Sequence, residues 1–285
     1  MMSLNNFIPE VWSARLLQNL HKNLIYGQEG VINRDYQGEI GQYGDTVKIN
    51  SIGTVTVGDY TKNNNTGAPE TLTDAQTTLL IDQSKFFNFQ IDDIDAAQQR
   101  PKVMDEAMRE AAFALRNVAD QYIGDLFTDI ANDNIIGSDA NPETPSASDA
   151  YECLVDLAVK LDEANVPEDG RWVVIPPWFE GLMLKDDRFV KAGVMPSESR
   201  LINGTVGQAA GFTVLKSNNV PNVSGEKYKI IAGHRIGWSY AEQIVSVEGF
   251  RPEQRFADAM KGLHVYGAKI VRPSALSLLV ANRPS

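Results

Sequence analysis

The stretch PKVMDEAMREAAFALRNVADQYIGDLFTDI, Pro101 to Ile130, carries the strongest periodic signal in the chain. Pro101 suits a first helical position, and Met104, Met108, Ala111, Leu115, Val118, Tyr122, Leu126 and Ile130 follow at intervals of three or four residues. That spacing predicts one helix over 101–130, about 45 Å long at 1.5 Å per residue. A helix of this length exceeds what a compact domain needs and reads as a strut.

Upstream of it, Val11, Trp12, Leu16, Leu17, Leu20 and Leu24 predict an amphipathic helix within Phe7 to Tyr26, with Pro9 near its start. Val47 and Ile49 alternate with polar neighbours, as do Val55 and Val57, and a further β-like segment runs from Thr77 to Ile81. Between them Tyr60 to Pro69 is rich in Asn, Thr and Gly and has little to bury. Thr46 to Ile81 therefore reads as a long two-stranded excursion with a polar tip. An isolated hairpin is marginal in water and its edges invite pairing, so a neighbouring subunit is expected to complete it. Phe87, Phe89 and Ile91 then alternate as a half-buried strand.

Downstream, Asp133 to Asp149 has the Pro, Ser, Asn and Asp content of a linker, Ser148 is a candidate cap, and a second helix carries Tyr151, Leu154, Val155, Ala158 and Leu161 until Pro167. Asp169-Gly170 turns the chain into a buried strand, Arg171 to Ile175, and Trp178 to Leu184 reads as a short helix. Lys185 to Thr205 is expected to be an irregular loop. Short strands follow at Phe212 to Leu215, Tyr228 to Ala232, Ile244 to Val247, Leu263 to Val271 and Leu276 to Val280. The fold class is α+β.

Composition narrows the function. The 285 residues are 43% hydrophobic and 22% charged, enough apolar content for a sizeable core. With 26 basic against 37 acidic side chains, the net charge is −11, and the basic residues never form a run, which argues against a dedicated nucleic-acid binder. One cysteine, Cys153, excludes an intrachain disulfide framework and reads as a buried structural thiol. The first twelve residues do not resemble a signal peptide, and no apolar run is long enough to span a bilayer.

Chemistry-bearing motifs are sparse. His21, His234 and His264 are too few and too scattered for a metal spacing, and the series from Asp93 through Asp95 breaks at Ala97. Gly204, Gly207 and Gly211 fit no phosphate loop. No metal or cofactor is expected. Gly237-Trp238-Ser239-Tyr240-Ala241 approaches a nucleophile elbow, with His264 downstream, so a serine hydrolase centred on Ser239 and His264 is the enzymatic alternative. Ala241 stands where the second glycine belongs, and a non-enzyme is the preferred reading.

Several segments, in order, resemble the major capsid proteins of tailed bacteriophages, the family with the Hong Kong 97-type fold. They are Phe7-Ile8-Pro9-Glu10-Val11-Trp12-Ser13, Gly44-Asp45-Thr46-Val47-Lys48-Ile49, the helix of 101–130 and Val173-Val174-Ile175-Pro176-Pro177. Gly211-Phe212-Thr213-Val214 with Ser217-Asn218-Asn219-Val220-Pro221, and Ala268-Lys269-Ile270-Val271-Arg272-Pro273 with Ala275-Leu276, continue the series. The resemblance implies an N-terminal arm over 1–43 and an extended loop over 44–85. A peripheral domain with a spine helix follows over 86–205, then an axial domain over 206–267 and returning C-terminal strands over 268–285.

What the resemblance implies for function is a virion shell, icosahedral or prolate, made in the host bacterial cytoplasm. Pentamers and hexamers of this chain would enclose double-stranded DNA without reading its sequence. Phe7, Trp12, Leu16, Val47, Ile49, Val55 and Val57 are the expected intersubunit contacts. A portal protein is an implied partner and a decoration protein a further one; the lack of a long helical extension before Phe7 implies a separate scaffolding protein. No membrane is involved. Lysines beside the loop, Lys48, Lys62 and Lys85, leave covalent crosslinking open. A tail or decoration protein is the other structural alternative.

Overall fold

The computed structural model describes residues 24–36, 46–52, 62, 74–92, 103–186, 205–254 and 256–284. Two sheets organise most of them. A three-stranded antiparallel sheet has the order β10–β11–β3, where β3 is Gln83–Asp92, β10 Trp238–Phe250 and β11 Ala257–Ile270. A mixed seven-stranded sheet runs β4 (Ile135–Ile136), β12 (Leu276–Asn282), β9 (Lys227–His234), β5 (Arg171–Ile175), β7 (Phe212–Lys216) and β6 (Thr205–Ala209), with β8 (Asn222–Val223) on β9. The expected segments 86–205 and 206–267 each contribute strands to both sheets, because pairing follows complementary faces and not chain order.

The spine helix, α1 (Val103–Gly124), has 22 residues, about 33 Å, and is shorter than its periodicity predicts. At Gly124 it tightens into a 3-10 turn, Asp125–Asp129, and Ile130 leaves it extended. Gly124 keeps helical angles, and the chain packs closely here: a Cβ on it would lie 3.1 Å from the Pro221 ring. Its buried stripe also differs from the predicted one. Met108, Ala112, Leu115, Ala119 and Ile123 face inward, whereas Val118 is 39% exposed. Two alanines on this stripe let the helix lie close to the sheet, which larger side chains would prevent.

Beneath the helix, Met108, Ala112 and Leu115 pack with Val247, Met260 and the alternating Phe87 and Phe89 of β3. The two phenylalanine rings stack at 5.9 Å. Gly262 makes this possible, since a Cβ there would stand 2.4 Å from the Phe87 ring.

The larger core belongs to the seven-stranded sheet. Helix α2 (Ala150–Glu163) buries Ala150, Leu154, Leu157 and Leu161 in it, each leucine contributing roughly 1.5–3 kcal/mol. Its cap is Asp149, not Ser148, and the Ser146 and Ser148 hydroxyls donate to the Asp149 carboxylate at 2.6 and 3.1 Å. The helix also stops before Pro167. Asn165 adopts φ 55°, the Val166 N–H donates to the Leu161 carbonyl (3.0 Å) and the Asn165 N–H to that of Asp162 (2.9 Å), closing a Schellman motif. The short helix α3 (Pro177–Met183) matches its prediction closely.

The predicted linker 133–149 is partly structural. β4 pairs in parallel with β12, and Glu143 joins the same strand through its N–H to Val280 (2.9 Å) and its carbonyl from Asn282 (2.7 Å). Of the helix predicted within Phe7 to Tyr26, only Leu24 to Tyr26 are described, and they form a bend and turn. The predicted loop Lys185 to Thr205 lies almost wholly outside the described residues.

Candidate assembly site

The excursion begins as a hairpin. β1 (Thr46–Ile52) and β2 (Asp74–Leu80) pair antiparallel, from Thr46 opposite Leu80 to Ile52 opposite Asp74. Strand alternation puts Val47, Ile49 and Leu79 on one face. With Ile81 they bury against Ala241 and Val265 of the three-stranded sheet. Val47 and Ile49, expected to touch a neighbouring subunit, are thus 4% and 7% exposed within their own chain. The side chains turned outward are Thr46, Lys48 and Leu80, the last 47% exposed. Gly267 fixes the docking distance, since a Cβ there would lie 2.2 Å from the Leu80 carbonyl oxygen. Phe7, Trp12, Leu16, Val55 and Val57 lie outside the described residues. Lys48 and Lys62 are exposed and Lys85 is half-buried.

A second feature escapes sequence reading. Residues 24–36, expected to be arm, are clasped inside the body, where Leu24, Tyr26, Val31 and Ile32 are buried. Asp120 of α1 holds the start of this segment: its Oδ1 accepts the N–H groups of Ile25 (3.0 Å) and Tyr26 (2.8 Å), and its Oδ2 accepts Asn219 Nδ2 (3.2 Å). Burial pushes the Asp120 pKa up, against the lowering effect of those bonds. Further along, Trp238 Nε1 donates to the Val31 carbonyl (2.7 Å). The Asn33 N–H donates to the Trp238 carbonyl (3.2 Å), and the Tyr240 N–H to that of Asn33 (2.9 Å).

The clasp ends on a buried charge cluster. Arg34 donates to the Gly27 carbonyl (3.1 Å) and pairs with Glu242 Oε1. Glu242 Oε2 accepts the Tyr240 hydroxyl (2.6 Å) and lies 3.1 Å from His264 Nε2. Burial alone would raise the Glu242 pKa, but the His264 hydrogen bond, the Arg34 and His264 charges and the Tyr240 hydroxyl together hold it at about 2. No sequence signal marks Asp120, which lies ten residues inside the helix predicted to run to Ile130.

The hydrolase alternative fails on geometry. Ser239 stands opposite Lys269 and His264 opposite Ile244, five positions along β10 or about 17 Å. The odd offset also puts them on opposite faces of the sheet. Ser239 is 2% exposed and His264 0%, so neither meets a substrate. His234 serves structure as well, its Nδ1 accepting the Ile236 N–H at 3.2 Å. Cys153 is half-buried, and burial followed by Asp156, Glu143 and Asp149 pushes its thiol up to about 11. Among the described residues no group of three His, Cys, Asp or Glu side chains could hold a metal, and no helix is long and apolar enough to cross a membrane.

A spine helix over a three-stranded sheet, a hairpin docked on that sheet's other face and a larger mixed sheet beside it define the Hong Kong 97-type capsid fold. A solved structure from Mycobacterium phage Che8 is 29% identical over 97% of this chain and 98% of that one, with a TM-score of 0.71. The capsid of Ralstonia phage GP4 matches at 10% identity over 93% and 92% of the two chains, TM-score 0.69. The capsid of cyanophage P-SCSP1u matches at 16% identity over 86% and 85%, TM-score 0.65. The last two show the fold alone. No curated protein gives a significant sequence match.

The phage capsid protein family model matches residues 76–278, and the chain belongs to that family. It is a major capsid protein, a structural component of a virion that assembles with copies of itself.

Proposed function

We propose that this chain forms pentamers and hexamers that close into an icosahedral or prolate head around packaged double-stranded DNA. The match of the family model across residues 76–278 carries this reading. The docked hairpin and the clasp support a division of labour. Each fixes the end of a neighbouring segment, 53–73 in one case and 1–23 in the other, and within those segments Phe7, Trp12, Leu16, Val55 and Val57 are the proposed contacts with neighbouring copies. Val47 and Ile49 serve the root. The chain is made in the bacterial cytoplasm and works with a separate scaffolding protein, a portal protein and a decoration protein. It has no enzymatic activity.

Charge fits a container. Nine carboxylates against one lysine lie between Asp139 and Asp169, so this stretch carries −8 of the net −11. Lys and Arg contacts would grip DNA regardless of sequence by releasing its counterions, whereas an acidic wall lets the polymer slide. A strongly basic inner wall in an assembled particle would overturn this part.

Sedimentation and negative-stain microscopy of the expressed chain, with and without a scaffolding partner, test the reading. Closed shells are the expected result. Tubes would point to a tail component, and a monodisperse monomer under all ionic and concentration conditions would reject assembly.

A further inference from the structure

Helix α2 carries two side chains that its own fold leaves uncovered. Its inner stripe, Ala150, Leu154, Leu157 and Leu161, is buried in the larger core, but Val155 and Val159, one turn apart and turned away from that core, are 37% and 46% exposed. Neither packs against a buried cluster among the described residues. Branching at Cβ lowers helix propensity, so a valine pair here weakens the helix and gains little burial within the chain. An apolar pair of this kind has its use when another molecule covers it.

The charges beside the valines indicate which molecule. At about 100° per residue, Asp162 falls on one side of the pair and Glu152, Asp156 and Glu163 fall on the other. All four are exposed. Lys160, 3.9 Å from Glu163, is the one basic residue of the helix, and Arg171 pairs with Asp162 at 2.7 Å. An apolar pair bordered by carboxylates on both sides repels DNA. It repels the same face of a second copy as well, since the facing helix brings the same acids to the same place. It complements a helix of opposite character, with apolar side chains three or four residues apart bordered by Lys and Arg.

We propose that the outer face of α2, centred on Val155 and Val159, holds a basic amphipathic helix of the scaffolding partner during assembly. The inference rests on the shell reading and gives the separate scaffolding protein a place to bind. The same charges supply a way to leave. DNA is a denser polyanion than α2, so DNA entering the shell competes for the Lys and Arg side chains of the partner and draws it off. The acidic face uncovered in this way does not hold the DNA. Such a contact suits a protein needed during assembly, not one that stays on the finished particle.

The test uses the full chain. A leucine–lysine amphipathic peptide is the first probe. It is expected to bind, to bind more weakly as salt rises, and to lose at least about tenfold in affinity with Val155→Lys plus Val159→Lys, or with Asp156→Lys alone. These positions are exposed, so circular dichroism and melting midpoint should match the unsubstituted protein. Poly-lysine, which has the charge without the apolar side chains, should bind more weakly than the peptide. In assembly, the double variant is expected to lose the closed-particle yield that the scaffolding partner adds. Carbodiimide coupling of that partner to the unsubstituted chain should join its lysines to Glu152, Asp156 or Glu163, and it decides the matter even if the variants misfold. Peptide binding unchanged by the substitutions, poly-lysine that binds as tightly as the peptide, or coupling that maps elsewhere or to a second copy would overturn the proposal and leave the shell reading standing. Failure of the unsubstituted chain to form closed particles with the scaffolding partner would overturn both.

Discussion

Trp172 and Trp238 stack face to face, ring centres 5.1 Å apart and planes within 7°, although one belongs to the seven-stranded sheet and the other to the three-stranded sheet. Tyr26 meets the edge of the same stack at 6.0 Å. Three segments distant in sequence thus share one aromatic joint, and all three rings are buried.

Removing that joint should cost much. Trp238→Ala is expected to destabilise the fold by about 3–5 kcal/mol, since it empties a buried site and strips the Val31 carbonyl of its donor. Trp172→Phe, which keeps a ring in the stack, should cost less. Urea unfolding of both variants measures the difference.

Asp120 gives a sharper contrast. Asp120→Ala leaves the N–H groups of Ile25 and Tyr26 without their acceptor and is expected to cost about 2–4 kcal/mol. Asp120→Asn keeps an acceptor for these N–H groups but sets an amide N–H₂ against Asn219 Nδ2, and should cost less than the alanine. Hydrogen exchange at residues 25–27 should accelerate in the alanine variant well before the global fold is lost.

Much of this body was legible in the sequence, and the exceptions share a cause. The two-stranded character of Thr46 to Ile81, the alternation of Phe87, Phe89 and Ile91 and the buried run of β5 each rest on a period of two or on turn residues within a few positions. The end of α2 differs because Asn165 is a subtler stop than Pro167, and that of α1 because Leu126 and Ile130 continue the apolar spacing past it. Residues 24–36 show no period at all. Their partners lie far along the chain, Asp120 being 94 residues from Tyr26 and Glu242 208 from Arg34, and no local pattern encodes such a pairing. Sheet membership was hidden for the same reason, and the Ser239–His264 alternative survived in sequence only because chain order says nothing of register.

Glu242 makes stability depend on pH with a definite sign. Its folded pKa of about 2 lies below the ordinary 4.5, so the stabilisation is complete above about pH 5 and drains away as the pH falls towards 2. The shift corresponds to something on the order of 3 kcal/mol. Urea midpoints from pH 5.5 down to 2.5 should fall more steeply for the native chain than for Glu242→Gln, which starts lower at neutral pH but lacks this slope.

The hairpin root can be loosened without touching the hairpin. Gly267→Ala drives a methyl group into the Leu80 carbonyl and should destabilise by about 1–3 kcal/mol while lifting β1 and β2 off the sheet. Limited proteolysis within 53–73 and along β2 should speed up in this variant, whereas an alanine at Gly181, where a Cβ has open space, should leave cleavage of that region unaffected.

The clasp also imposes an order of events during synthesis. Val31 leaves the ribosome 207 residues ahead of Trp238, the side chain that secures it. At about 5–20 residues per second that is a wait of roughly 10–40 s, during which the Val31 carbonyl lacks this donor. A chain that stops short of Trp238 never acquires the bond, so a completed clasp marks a polypeptide extended at least that far, and a growing particle has a physical basis for passing over shorter fragments.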